Sequence, residues 1–243
     1  MSRKTQRNQS NPQRQDSPSP AAPGTGVSRG REILTWSVVA VLLVAAVWML
    51  LFNSKATQPS QPAVTTNAAA LASEHSPTLG AANAKVHIVE FLDPACETCA
   101  MFYPVVKQML ADNPDKIRLS IRHVPFHQGS EYVVRLLEAS RKQDKYWQTL
   151  EALLASQAQW APHHTVQPDL VGPAIAGVGL NTDQLMADMN APEVGQRMQR
   201  DIDDARALKV TATPEYFVNG RPLPSFGLQQ LQDLVGEALR QTD

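Results

Sequence analysis

The alternation of apolar and polar positions predicts a small sheet with helices between its strands. Residues 86–92, VHIVEFL, form a short apolar run rich in β-branched side chains, which predicts a largely buried strand. Asp93-Pro94 ends this run, and apolar residues then recur at helical spacing from about Cys96 to Asn113-Pro114. Residues 116–124 alternate between apolar and polar side chains, so a second strand is expected after the helix.

The pattern beyond the second strand is mainly helical and closes with a hairpin. Helical periodicity extends from Ser130 to about Leu208, and Pro192 lies at an expected first helical position. Asn219-Gly220 between two short β-rich runs is the strongest short hairpin signal, and residues 228–239 carry the apolar stripe of a closing helix. The expected fold class is therefore α/β, with a helical domain inserted into a small sheet.

The N-terminal segment follows a different pattern. Residues 1–32 are rich in Gln, Ser, Pro and Arg and nearly lack large apolar side chains, which predicts a disordered tail. Residues 33–52, ILTWSVVAVLLVAAVWMLLF, carry no charge. At ~1.5 Å per residue such a helix is about 30 Å long, the thickness of a bilayer's hydrocarbon core. Trp36 and Trp48 lie near its ends, where indole rings favour the interface. We therefore expect a single transmembrane anchor.

A buried core helix and a cleaved signal peptide are the alternatives for this run. A core helix would show a polar stripe, and a signal peptide usually has an apolar region of only about 7–15 residues. Six Lys or Arg residues precede the run, whereas Lys55 is the only basic residue between its end and Glu74. The positive-inside rule then predicts a single-pass protein with its N-terminus in the cytoplasm and the chain after residue 52 outside. In a bacterium, this corresponds to the inner membrane and the periplasm.

The remaining domain boundaries follow from composition. Residues 53–76 are small and polar with scattered Pro, which predicts a flexible tether. The folded part is expected to consist of a first sheet segment at 77–128, the helical insertion at 129–208 and a second sheet segment at 209–243.

Charge and cysteine content narrow the functional class. The formal net charge is −1, so nothing indicates nucleic-acid binding. Two cysteines are too few for a disulfide framework or for a zinc site made of cysteine alone. Because the bacterial periplasm is oxidising, a cysteine pair located there can exist as a disulfide.

Both cysteines lie at the predicted transition from strand to helix. Cys96 falls at the helix N-terminus, where unpaired N–H groups and the helix dipole favour a thiolate. Cys99 lies one turn later, within reach of a disulfide. The pattern predicts an exposed nucleophile and a shielded resolving thiol, although a CxxC alone is equally half of a metal site. Two interpretations therefore remain open. The cysteines are either a redox pair or part of a soft-metal site formed by Cys96, Cys99 and Met101.

Two motifs together resemble the DsbA-like oxidoreductases of the thioredoxin fold, and in particular their membrane-anchored members. They are KVHIVEFLDPACETC at 85–99 and VTATPEYFVNG at 210–220, and the resemblance covers roughly residues 79–240. It implies a thioredoxin fold with an inserted helical domain. By the same resemblance, Cys96 is the attacking cysteine and Cys99 the resolving one.

The resemblance also implies roles for residues outside the cysteine pair. Glu90 matches a buried acid that relays the proton of Cys99, although a plain strand residue is the alternative. Pro104 matches a proline inside the active-site helix. Pro214 matches a cis-proline facing the disulfide, with an ordinary trans proline as the alternative. Thr213, which precedes it, offers its backbone to an extended substrate.

One departure from the family pattern concerns the residues between the cysteines. Glu97-Thr98 stands where strong oxidants of the family carry Pro-His, and a carboxylate disfavours the neighbouring thiolate. A less stable thiolate makes a weaker oxidant. We expect a reduction potential between about −270 mV and about −120 mV, the values of thioredoxin and of the strong periplasmic oxidant.

These features predict an enzyme, a periplasmic thiol:disulfide oxidoreductase that oxidises proteins with cysteine pairs and needs no cofactor. The resemblance implies recycling by a membrane partner of the DsbB or vitamin-K-reductase type. A reductase or isomerase served by a DsbD-type electron donor is the first alternative, and a copper-binding protein is the second.

Overall fold

The computed structural model describes residues 68–71 and 73–242. The predicted tail at 1–32, the predicted transmembrane helix at 33–52 and most of the predicted tether lie outside these ranges. Within the two described ranges, no helix has the length and apolar composition needed to span a membrane.

A five-stranded mixed sheet forms the centre of the fold. Its strands follow the spatial order β1-β3-β2-β4-β5. The central pair, β2 and β3, is parallel, while β1 pairs with β3, β4 with β2 and β5 with β4 in antiparallel register. The strands are β1 (Thr78–Gly80), β2 (Val86–Leu92), β3 (Ile117–His123), β4 (Glu215–Val218) and β5 (Arg221–Pro222).

Helices connect and cover the strands. The parallel pairing of β2 with β3 requires a crossover, and α2 supplies it. The helices from α3 to α8 form one insertion between β3 and β4, which confirms the predicted inserted helical domain. The helices are α1 (Ala68–Leu71), α2 (Glu97–Asp112), α3 (Ser130–Ser140), α4 (Tyr146–Ala155), α5 (Gln157–Trp160), α6 (Pro168–Ile175), α7 (Thr182–Met189), α8 (Pro192–Ala207) and α9 (Leu228–Arg240).

Strand β2 is buried on both faces, as its nearly continuous apolar run predicts. Ile88 and Leu92 pack into the larger apolar core together with residues of α2 and α9. Val89 and Phe91 alternate to the opposite face and pack with Ala205 of α8 in a smaller cluster. The period-two alternation of a strand therefore places Glu90 on the face covered by α2.

The flexible tether predicted at 53–76 extends too far towards the C-terminus, because Ala70 and His75 contact the folded domain. Ala70 is only 2% exposed, and its carbonyl accepts a hydrogen bond of 2.7 Å from Arg122, whose side chain is fully buried. Arg122 also binds Asp201 of α8, and His75 Nε2 lies 2.8 Å from the same carboxylate. Ala70 and His75 thus contact the folded domain, because Arg122 and Asp201 need partners for charges that are out of water.

The predicted hairpin is present. Asn219 and Gly220 have φ values of 48° and 81° and join β4 to β5. Positive φ at both central positions is what a two-residue turn of type I′ requires.

Candidate active site

Cys96 lies between a strand end and a helix start. It is the N-cap of α2, with extended backbone angles of φ −79° and ψ 114°, and its side chain forms no cap hydrogen bond. The structure therefore places Cys96 at the helix N-terminus, as the sequence predicts. The Cys99 thiol is the largest influence that lowers the pKa of Cys96 to about 5; burial opposes it, and Thr213 and backbone N–H groups support it.

The backbone of Thr213 approaches Cys96 from a distant part of the chain. The Cys96 thiol donates a hydrogen bond of 3.2 Å to the Thr213 carbonyl. The peptide bond between Thr213 and Pro214 is cis, as the family resemblance implies. The fold thus brings together the two motifs that the sequence separates.

Cys96 is less exposed than the sequence predicts. The residue is only 3% exposed and Cys99 is fully buried, so the expectation of an exposed nucleophile is wrong for this structure. Thr213 lies against the sulfur, and Gln157 of α5 donates a hydrogen bond of 2.9 Å to the Cys96 carbonyl.

Cys99 and Glu90 form the buried side of the site. Burial, followed by the interactions with Cys96 and Glu90, raises the pKa of the Cys99 thiol. Glu90 is fully buried, and burial raises its pKa to about 8; Tyr216 opposes this shift and Cys96 adds to it. A carboxyl group with this pKa exchanges protons near neutral pH, so it is suited to proton transfer with a thiol.

The residues between the cysteines lie at the entrance of the site. Glu97 is exposed in the first turn of α2, and Thr98 is half-buried. Exposure weakens the electrostatic influence of Glu97 through solvent screening. Its predicted tuning of the redox potential stays a prediction. Pro104 lies inside α2, as expected.

Sequence reasoning missed a set of polar contacts that hold the loop before Cys96. Asp93 is fully buried, and its carboxylate accepts hydrogen bonds of 2.8 Å from the backbone N–H groups of Ala95 and His127. Gln157 donates one of 2.7 Å to the Pro94 carbonyl. An Asp before Pro is a common turn signal that could have indicated the first contact. No local signal marks Gln157, which lies 63 residues from Pro94.

Two histidines complete the surroundings of this loop. His127 Nδ1 lies 2.8 Å from the Asp93 carboxylate, and the His127 ring stacks on His164 with a centroid distance of 4.6 Å. His164 Nδ1 lies 3.2 Å from the Ala95 carbonyl. The ranges that the structure describes contain no group of three or more His, Cys, Asp or Glu residues arranged to hold a metal ion.

Comparisons with known proteins give two kinds of match. A family model described as Thioredoxin matches residues 72–236. Disulfide bond formation protein D of Bacillus subtilis (strain 168) is 27% identical over 173 residues, which are 68% of this chain and 77% of that protein. A solved thioredoxin-like oxidoreductase from Silicibacter pomeroyi DSS-3 is 30% identical with a TM-score of 0.62, and the match covers 72% of this chain and 98% of that one.

The second kind of match is to part of a much longer protein. The Na(+)/H(+) antiporter NhaA of Herminiimonas arsenicoxydans is 32% identical over 144 residues, which are 59% of this chain and 22% of the antiporter. This chain thus spans between about a fifth and a third of the length of the antiporters that it matches.

Proposed function

Because the chain belongs to the thioredoxin family, we propose that it is a protein thiol:disulfide oxidoreductase of the DsbA-like type. One observation carries this proposal: Cys96, with a pKa lowered to about 5, meets the Thr213 carbonyl at 3.2 Å above a buried Cys99. The similarity to a disulfide bond formation protein and to a thioredoxin-like oxidoreductase confirms the family resemblance inferred from the two motifs.

The favoured direction is oxidation of substrate dithiols. A substrate thiolate attacks the Cys96 sulfur, the bond between Cys96 and Cys99 breaks, and its electron pair goes to the Cys99 sulfur, which takes up a proton. A second substrate thiolate then attacks the substrate sulfur of the mixed disulfide, and Cys96 leaves as a thiolate. A leaving thiol with a low pKa departs faster, so the helix N-terminus favours this direction.

Glu90, Thr213 and Pro214 have separate roles in this proposal. Glu90 exchanges the proton with Cys99, because both groups are buried and Cys96 raises the pKa of each. Glu90 also raises the pKa of Cys99. The Thr213 backbone pairs with an extended substrate segment, and Pro214 holds that loop against Cys96. Glu97 and Thr98 adjust the potential of the pair.

The proposed location is the periplasmic face of a bacterial inner membrane, with residues 33–52 as the anchor. A quinone-linked partner of the DsbB or vitamin-K-reductase type would reoxidise the pair, and the substrates would be proteins that contain cysteine pairs. No cofactor takes part in the exchange. Na(+)/H(+) exchange is named for proteins more than twice as long as this chain, and the proposal does not draw on it.

A trapping experiment tests the exchange mechanism. In cells that express the full chain with Cys99→Ala, the mixed disulfide formed through Cys96 cannot be resolved by the second thiol. We expect covalent adducts with other proteins that disappear on reduction, and none in the matched control with both Cys96→Ala and Cys99→Ala. If the single variant forms no adduct, the proposed mechanism is wrong.

The redox state of the pair in the same cells determines the direction. A wild-type pair that is mostly disulfide supports the oxidase, and a mostly dithiol pair supports the reductase or isomerase with a DsbD-type donor. The soft-metal alternative predicts bound metal and no adducts, so the trapping experiment separates it from both.

A further inference from the structure

Glu90 faces a tyrosine that the exchange mechanism does not yet use. Glu90 of β2 and Tyr216 of β4 are directly opposite each other in the antiparallel register. Side chains opposite each other in such a pair lie on the same face and are close neighbours. Both residues are fully buried on the face that α2 covers.

The Glu90 carboxylate and the Tyr216 hydroxyl are buried polar groups on the same face of the sheet. Among the described residues, no hydrogen bond of ordinary geometry uses either carboxylate oxygen of Glu90 or the hydroxyl of Tyr216. Tyr216 lowers the pKa of Glu90 against the effect of burial. A buried carboxylate without a hydrogen-bond donor is unfavourable, and the Tyr216 hydroxyl is a donor beside it.

Packing fixes the position of the tyrosine ring. The Tyr216 ring stacks on Phe102 of α2 with a centroid distance of 6.1 Å, and Phe102 stacks on Phe226 at 5.1 Å. The side chain therefore cannot leave the vicinity of Glu90 without disturbing the core.

The titratable groups around Glu90 come from two elements. Tyr216 faces it from β4, Cys99 and Tyr103 from α2, and Cys96 from the N-cap position of α2. None of these four is a cation. The hydroxyl of Tyr103 donates to Glu151 at 3.4 Å, whereas the hydroxyl of Tyr216 has no such alternative partner among residues 68–71 and 73–242.

We propose that Tyr216 is a positioning residue for proton transfer, whose hydroxyl donates a hydrogen bond to the Glu90 carboxylate that forms when Glu90 gives its proton to Cys99. This inference rests on the proposed function. In the step concerned, a substrate thiolate forms a bond to the Cys96 sulfur while the bond between the Cys96 and Cys99 sulfurs breaks. Cys99 receives the electron pair and then the proton of Glu90, and Glu90 is left as the anion that Tyr216 stabilises.

The test is the pH dependence of reduction of the oxidised full chain by dithiothreitol. The ratio of each variant's rate to that of the wild type removes the titration of dithiothreitol itself. The limb assigned to Glu90 is the part of the pH–rate profile that follows the ionisation of its carboxyl group. We expect Tyr216→Phe to move this limb upward by about one pH unit, because a hydrogen bond to the charged carboxylate is lost. Tyr103→Phe is the matched control and should leave the limb in place, and Glu90→Gln should remove it.

A double variant separates proton handling from packing. If Tyr216 acts through Glu90, then Tyr216→Phe has no further effect on the pH profile in a Glu90→Gln background. If Tyr216→Phe is poorly folded, 2,3-difluorotyrosine at position 216 keeps the shape of the ring and strengthens the donor, and the limb should then move downward.

The outcomes distinguish this inference from the proposed function. An unchanged limb in Tyr216→Phe, or equal effects with and without Glu90, overturns the role of Tyr216 and leaves the oxidoreductase in place. A wild-type chain that exchanges no disulfide with dithiothreitol overturns both.

Discussion

At the scale of single residues, Cys96 combines low exposure with an acidic thiol. The Cys99 thiol, Thr213 and the backbone N–H groups of α2 stabilise the thiolate against burial and lower the pKa from 9.0 to about 5. Because the pKa is depressed in the folded state, the stabilisation of the reduced form is complete above the unfolded value near pH 9. It is lost as the pH falls through about 5.

This pKa predicts an unusual alkylation profile for the reduced chain. Between pH 6 and pH 8 the rate of reaction of Cys96 with iodoacetamide should stay nearly constant, since the thiolate already predominates. An ordinary thiol would react about a hundred times faster at pH 8 than at pH 6. Mass spectrometry of the modified peptide separates Cys96 from Cys99. A rate that rises tenfold per pH unit across this range would contradict the assignment.

At the scale of elements, the sequence pattern predicts the parts of the fold that local signals specify. Asn219-Gly220 determines its hairpin through positive φ, and the run at 86–92 reports a strand buried on both faces. Strand β1 has only 3 residues, too few to show an alternation, and it was missed. Of the site, CxxC and the proline loop were recognisable, whereas Gln157 is placed by the insertion and Tyr216 by strand register.

The docking of Ala70 and His75 on the folded domain depends on one buried charge, that of Arg122. Replacing Arg122 by Met leaves Asp201 buried without its guanidinium partner, and breaking such a pair costs about 3–5 kcal/mol. We therefore expect a loss of this size in the free energy of unfolding by urea, together with faster proteolysis at 68–76. The matched control is Arg206→Met, because the pair of Arg206 with Asp203 is exposed and should contribute less than about 1 kcal/mol. Equal losses would show that the buried pair is not the stabilising contact.

At the scale of the whole molecule, the proposed function requires the site to face an oxidising compartment. A dithiol oxidase works only where disulfides persist, and the bacterial periplasm provides that setting. The proposed anchor at 33–52 would keep the domain near a membrane partner that recycles it. The proposed oxidase chemistry therefore depends on the proposed periplasmic location, although each can be tested by its own experiment.

The anchor can be tested by placing charge in the middle of the apolar run. Leu42 and Leu43 lie near the centre of residues 33–52, where each arginine disfavours membrane insertion by about 2.5–3.5 kcal/mol. We expect a full chain with both Leu42→Arg and Leu43→Arg to lose its association with the membrane fraction after a carbonate wash. A chain with Leu42→Val and Leu43→Val remains there. If the arginine variant stays in the membrane and its cysteine pair is still mostly disulfide in cells, residues 33–52 are not the anchor and another part of the protein determines its location.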